Sequence, residues 1–540
     1  MAASASIALA FAIIVAQSAM MPRDVAATDI NGPAISSSGT VSAGDAVLRT
    51  PEDMARDADL KPTEGVVPGA IINAPTIPLA EYNSLKAWAA QLQGSKGAGA
   101  GSAGPSGPAV PVVKSVNFAA AVQGENGKNF VPPDTHMAVG FGQMVETTNS
   151  SIDVWSKPST GTPTHLKSVS QNAFTGNATD KLGDSRVIYD ALYGRWIITI
   201  DDFSGLTNGS KPSYILAISK TSSATGAFFI YSVSISTSPS GLFYDYPQLG
   251  QDQDAILITA NFFNGNSFVA NAVHSIAKAR VYNGAGFSFG LFFASSSSGT
   301  LAPPILQNLD QNRSDFFLSA PVGSGKTALH KYTMTASSRS PVVFSGPVSI
   351  PVASYTTPPP SALQPAPCNV AADHLDTLDG RFQNSSFQSG TSLWNVHTRA
   401  IGSFPVPKFY QVNTSTNTTV QSAQFFKSAT SFDFNPSISG TGTTVFVNWS
   451  ATDPTNNLNP MVMFGGRTSA TPVNTMPIQT TPAFTSPSCL SGSFDPNFNE
   501  QRWGDYSSVS MDPSVAGIAW ILNEDAPSAS WGTRGVRIGN

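Results

Sequence analysis

The chain has 540 residues, enough to bury a large core, with 45 glycines, 40 prolines and only 12% charged residues. Its formal net charge of −5 comes with no basic stripe, which argues against nucleic-acid binding by phosphate neutralisation. Low charge with abundant Ser, Thr and Asn suits many short strands joined by polar turns.

Ile7 to Ala16 is an apolar run of about ten residues, too short to span a bilayer. Small residues follow at spacings that suit a signal peptidase, Ala16-x-Ser18 or Val25-x-Ala27. Residues 1–27 are therefore read as a secretory signal, although no Lys or Arg precedes the apolar run; a tail without structure is the alternative. No later stretch predicts a membrane span. Residues 28–76 are polar and punctuated by Pro, Gly and Ser, which predicts little order. Leu79 to Leu92 places Leu79, Tyr82, Leu85, Trp88, Ala89 and Leu92 at helical spacing, which predicts one amphipathic helix. Gly94 to Pro111 has the composition of a flexible linker.

From residue 111 to 540 one phrase repeats: a polar or acidic residue leads a short semi-apolar run, a turn follows, then an aromatic-rich strand. The openings are Asp134-THMAVG, Asp184-SRVIYD, Asp245-YPQLGQD, Pro304-ILQNLD, Asp379-GRFQN, Phe432-DFNPSIS and Asp505-YSSVSMDP. They recur about fifty to seventy-five residues apart, the period of a propeller blade. The expected fold is all-β, a seven-bladed β-propeller, with six blades as the alternative, preceded by a disordered and helical extension over 28–110. The last copy ends one strand short, after Gly535-VRIGN, and Val112 to Ala121 is a strand without a copy of its own. Pairing the two closes the ring and predicts that deleting residues 1–108 is tolerated while deleting through 122 is not.

Two cysteines, Cys368 before the fifth opening and Cys489 before the seventh, lie in loops that a propeller brings to one face. A disulfide between them is expected; two buried free thiols are the alternative. Eight N-x-S/T sequons occur, which carry glycans only in a eukaryotic host. Ala320-PVGSGKT matches a loose phosphate-binding loop, but strand alternation in Leu329-HKYTM denies it the helix such a loop needs, so Gly323 to Gly325 reads as a hairpin turn.

The openings carry the candidate site. If each leads an innermost strand, their first residues ring one mouth of a central channel. That ring holds Asp134, His136, Asp184, Arg186, Asp245, Tyr246, Gln248, Asp379, Arg381, Asp433, Asp505 and Tyr506, to which RWGDY adds Arg502 and Trp503. Carboxylates, guanidiniums and aromatics on one concavity suit a carbohydrate, an anion or a cation; the competing expectation is that they pin blades together. No cofactor is established. Calcium would suit several Asp side chains near an axis, with Asp373, Asp376 and Asp379 beside His374 the best local candidate. The six histidines show no zinc spacing, and no GxSxG elbow is present.

The phrases PPDTHMAVG, GDSRVIYDALYGRWII, YDYPQLGQDQDAILITANFF, RWGDYSSVSMDP, AWILNEDA and WGTRGVRIG together resemble a group of secreted β-propeller proteins. The resemblance spans about residues 115–540 and implies an exported propeller, without implying a reaction. A more distant likeness to the sialidase-like superfamily would cast Arg186, Arg381 and Arg502 as an arginine triad and Tyr506 or Tyr246 as the nucleophile. The S-x-D-x-G-x-T-W turn of sialidases is absent, and those enzymes have six blades.

The expected function is binding of an extracellular glycan or protein ligand at the channel mouth by a secreted monomer. A glycan-active hydrolase or lyase on the same face is the enzymatic alternative, with no catalytic residue assigned, and a structural or adhesive disc is the third. Arg186 and Arg381, as channel-facing guanidiniums without buried partners, are the expected ligand contacts, whereas Arg502 and Asp505 are expected to be structural. The segment before residue 110 is expected to be dispensable for binding.

Overall fold

The structure is a computed structural model and describes residues 39–60, 75–96, 110–125, 130–204, 213–235, 242–265, 267–306 and 314–540. The expected signal sequence and most of the linker lie outside these residues. The described chain is mostly strand, and none of its helices is long and apolar enough to cross a membrane.

Each opening phrase contributes an opening strand: His136–Val139, Leu182–Asp190, Phe243–Gln251, Pro304–Leu306, Ser386–Ser389, Phe432–Thr441 and Ser508–Met511. Most continue outward through antiparallel neighbours in chain order; the second, for example, runs to Arg195–Asp202, Ser213–Ser219 and Phe228–Ile235. Pro304–Leu306 is the exception. It lies parallel to the strands on either side of it, and its outer strands hang from the bridge between Ala302 and Leu318. Opening strands pack each against the next in chain order, and Ser508–Met511 packs back against His136–Val139.

Apolar residues on both faces bury each sheet between its neighbours. Trp196 to Ile200 is a continuous buried run, as a sheet covered on both sides requires. Ala138 and Val145 of the first sheet share one core with Val187, Trp196 and Ile198 of the second. The N- and C-terminal strands pair as the sequence suggests: Val112–Val122 lies antiparallel to Gly532–Gly539. Gly535 permits it, because a Cβ there would strike the Phe118 ring. Lys326–Thr335 continues from Gly323–Gly325 as a hairpin strand, so the phosphate-loop likeness has no helix behind it. Cys368 and Cys489 are disulfide-bonded.

The extension departs from expectation. The predicted helix is present at Leu79–Gln91 and docks through buried Tyr82, Leu85 and Ala89. Residues 39–60, however, are ordered rather than loose. Gly39–Ala43 pairs with both Phe228–Ile235 and Phe287–Ala294, stitching the outer edges of the second and third sheets together. Val47–Arg49 extends the same edge, and Pro51–Arg56 is a helix with a Thr50–Asp53 capping box that buries Met54 in the core. Exposed edge strands invite pairing, and this polar segment supplies it in cis. The extension also delivers buried contacts. Lys86 Nζ lies 3.1 Å from Asp376, Lys96 Nζ lies 2.9 Å from Asp433, and Thr76 donates to Asp379. Deleting residues 1–108 would leave these carboxylates without those partners, which weighs against the expectation that the segment is removable for folding.

Candidate functional site

At or near the start of four opening strands the backbone is unusual. Asp134, Asp184, Tyr246 and Asn435 have φ of 45°, 45°, 57° and 47°. Register shifts follow between Gly183 and Arg186, Asp245 and Gln248, and Phe434 and Ser437. Left-handed non-glycine residues and bulges are costly and recur where side chains must be re-aimed. Most of the predicted ring residues do come together here, as a buried plug of side chains bonded to one another.

Asn149 ties the first two openings: its Nδ2 donates to Asp134 Oδ2 at 2.7 Å, and its Oδ1 accepts from the Asp184 amide at 2.7 Å. The Asp505 amide donates to Asp134 Oδ1 at 2.7 Å, and Arg502 Nη2 to Asp505 Oδ1 at 3.0 Å. Tyr506 OH donates to Asp184 Oδ2 at 3.1 Å. Gln248 donates to the Gln383 carbonyl, and Gln383 in turn to Asn435 Oδ1 and the Asp505 carbonyl. Trp503 Nε1 donates to Ser450 Oγ, and its ring packs on Phe434.

The two arginines expected to await a ligand are already engaged. Arg186 is 2% exposed; it donates to the Pro247 and Gln383 carbonyls and to Asn384 Oδ1, and its guanidinium lies 3.3 Å from the Tyr506 ring centroid. Arg381 makes a two-pronged contact with Asp379, 2.8 Å on each side, over the Tyr246 ring. Neither is a free channel-facing guanidinium, so an arginine triad for a substrate carboxylate is not available. The acidic loop is likewise spoken for: Asp376 is neutralised by Lys86, and Asp379 by Arg381.

Burial dominates the electrostatics. It holds the Asp134 carboxyl up at about 7, and Asp184, Asp245 and Asp505 at about 8, with neighbouring carboxylates adding to the rise. His136, half-buried, is pushed well below its ordinary range by burial and by Arg186, so its imidazole is neutral. A residue outside the predicted ring joins the cluster. Asp201, from the second strand of the second sheet, is fully buried and likewise raised by burial. One carboxylate oxygen from each of Asp184, Asp201 and Asp245 lies within 4.8 Å of the others.

The roomier space lies at the other end of the opening strands. A cavity of about 800 Å³ is lined by residues from every opening strand, from Val139 and Asp190 through Gln251, Leu306 and Phe387 to Ser439 and Ser510. His136 and Asn384, at the edge of the plug, form part of its wall. A smaller cavity of about 100 Å³ lies at the approach-loop end, where ligand access is expected from the sequence, and is lined by Asn149, Asp184, Arg502 and loop residues from Phe130 to Pro132 and Phe494 to Asn497. The wall of the larger cavity carries three carboxylates, and all are engaged. Asp190 accepts from Lys278 at 2.7 Å and from Tyr282 OH. Asp252 accepts from Ser337 and from the amides of Asp254 and Ala255. Asp512 accepts from Lys157 at 2.7 Å and Trp520 Nε1 at 3.1 Å. Its rim is apolar and exposed: Leu192 and Val515 line it, Tyr193 follows Leu192, and Phe141 meets Tyr189 of the wall edge-on.

No protein-family model matches the chain, and no curated protein matches it. Among solved structures, an exo-β-1,3-galactanase from Clostridium thermocellum is 9% identical, covering 67% of this chain and 87% of its own, with a TM-score of 0.28. A sialidase from Trypanosoma rangeli is 11% identical, covering 65% and 54%, with a TM-score of 0.32. The Dos1 propeller is 7% identical, covering 74% and 75%, with a TM-score of 0.35. At these identities and scores no residue role or activity transfers to this chain.

Proposed function

We propose that the chain is an exported seven-bladed propeller that binds a polar extracellular ligand, a short glycan foremost, in the cavity at the far end of its opening strands. The observation that carries this reading is the cavity itself. Its wall carries polar side chains such as Gln253 and Ser510, and exposed Leu192 and Val515 line it, with exposed Tyr193 next to Leu192. Sparse polar groups for orientation beside apolar surface for the sugar face are what such sites need. Seven blades is the count supported by the cyclic packing of the opening strands. Export is supported by the disulfide, which persists in oxidising compartments.

Binding is favoured over hydrolysis for a chemical reason. A glycosidase of the common kind needs one carboxylic acid and one carboxylate facing the same bond across an open cleft. Asp190, Asp252 and Asp512 each spend their oxygens on internal donors. The raised carboxyls of the plug are buried away from the cavity. A glycan array read with the wild type and with Ile305→Trp, which fills the cavity from its wall, tests the proposal. Binding by the wild type and none by the variant at unchanged melting temperature is expected. Equal binding by both would place the ligand elsewhere, and sugar release from a bound oligosaccharide would favour the hydrolase.

A further inference from the structure

Three carboxylates are packed into the interior at one point, and their local partners do not account for them. Asp184 is 1% exposed, Asp201 and Asp245 are fully buried. Among the described residues neither oxygen of Asp201 has a hydrogen-bond partner, Oδ1 of Asp184 also lacks one, and Asp245 has no side-chain donor, with only the Tyr246 amide beside its carboxyl. Isolated buried anions are among the most costly groups in a protein, and native chains pair them or give them a metal. Two neutral oxygens next to the cluster in the chain are also buried without a partner. Thr199 Oγ1 belongs to the same face of the strand that carries Asp201, and Gln248 Oε1 follows Asp245 across the bulge.

The spacing has a specific meaning. Oxygens bound to one calcium ion at about 2.3–2.6 Å can stand no more than about 5.2 Å apart. The three carboxylate oxygens, all within 4.8 Å of one another, meet that limit. The backbone is bent to achieve it: Asp184 is left-handed, Asp245 precedes left-handed Tyr246, and a bulge follows each. Arg186, whose charge favours the ionised forms of Asp201 and Asp184, spends its nitrogens on carbonyls and an amide rather than on these carboxylates.

We propose that Asp184, Asp201 and Asp245 form a buried site for one divalent, oxygen-seeking cation, calcium before magnesium, which locks the second and third sheets together at the plugged end. Calcium is preferred because magnesium keeps several waters and an octahedral shell, for which a cluster of three buried carboxylates is a poor host. This inference does not depend on the cavity reading.

The test is elemental analysis of the full chain expressed with calcium in the medium, alongside calorimetry with and without chelator. One equivalent of calcium is expected in the wild type, with a lower melting temperature after prolonged chelation and recovery on adding calcium chloride. Asp201→Asn and Asp245→Asn should each lose at least the roughly tenfold to hundredfold in affinity that loss of an outer-shell partner already costs. Ile305→Trp should keep its calcium, which separates this site from the cavity. A wild type that carries no stoichiometric divalent metal and does not respond to calcium would overturn the proposal, whether or not the variants fold. So would an Asp201→Asn variant that retains full calcium occupancy.

Discussion

Replacing Lys96 by Met should cost the protein about 3 kcal/mol, although Lys96 lies in a stretch with the composition of a linker. Its ammonium is fully buried and lies 2.9 Å from Asp433 Oδ2, with the Ser428 carbonyl at 3.0 Å and Ser431 Oγ at 3.1 Å. Phe404 and Phe426 flank it at 4.8 and 4.9 Å from their centroids. Truncating one partner of a buried pair costs about 3–5 kcal/mol, because the other charge is left in a medium that cannot solvate it. The low end applies here, since Asp433 keeps Ser431 Oγ at 2.6 Å, the Lys427 amide at 2.9 Å and Trp449 Nε1 at 2.9 Å. Met preserves the stem's packing, so the loss reports charge. Urea unfolding followed by tryptophan fluorescence, with the disulfide intact, reads the midpoint. Adding Asp433→Asn should return much of the loss, because the double variant removes the stranded charge. A cost of Lys96→Met under about 1 kcal/mol, or a double variant no better than the single, would refute the buried-tether account.

Phe118→Ala should cost about 3–5 kcal/mol and loosen ring closure, since Phe118 packs on Trp155 at 5.2 Å and against Gly535; limited proteolysis of Val112–Val122 is the readout. Reducing Cys368–Cys489, whose sequence separation is 121, should lower stability by about 4–5 kcal/mol on chain-entropy grounds, measured by urea unfolding with and without reductant. Arg186→Ala should destabilise rather than merely block a ligand, because three hydrogen bonds and a ring contact go with it; a variant with wild-type melting temperature would return Arg186 to the list of ligand contacts. The stabilisation conferred by calcium should grow from pH 5 to pH 8. Burial holds Asp184 and Asp245 at about 8 in the folded chain against an ordinary 3.8, so folding binds protons across that range. Their contribution to stability without metal is full below about pH 4 and is lost as pH rises towards 8, where the ion takes the proton's place. Asp379 works the other way: burial raises it, but Arg381 more than compensates and leaves it below its ordinary value, so its share is lost as pH falls. A calcium increment that does not change with pH would contradict this.

The repeat and the closing strand were legible because they rest on patterns that tertiary context rarely overrides. A strand-like Val112 to Ala121 without an opening, and a last copy short of one strand, have few other resolutions. The ring of Asp, Arg and Tyr side chains was legible as a convergence for the same reason, since residues at equivalent places in a repeat end at equivalent places in space. What the repeat does not carry is access. Arg186 and Arg381 sit at channel-facing positions, but their partners, the Pro247 and Gln383 carbonyls and Asp379, depend on loop paths and on a backbone twisted into left-handed φ. The ordered segment over 39–60 was hidden because its polar sequence completes sheets made elsewhere, and its strands acquire their apolar contacts only by docking. Lys86 and Lys96 look in sequence like any solvated lysine. Asp201 did leave a trace, as a carboxylate ending the buried run Trp196 to Ile200. An acid in that place is either at a solvent boundary or in need of a counter-charge, and only the second sheet's position beside Asp245 decides between them. The same geometry puts the unpartnered oxygens at one end of the opening strands and the roomier cavity at the other. A cation holding the first and a sugar entering the second would then be separate events on one set of strands.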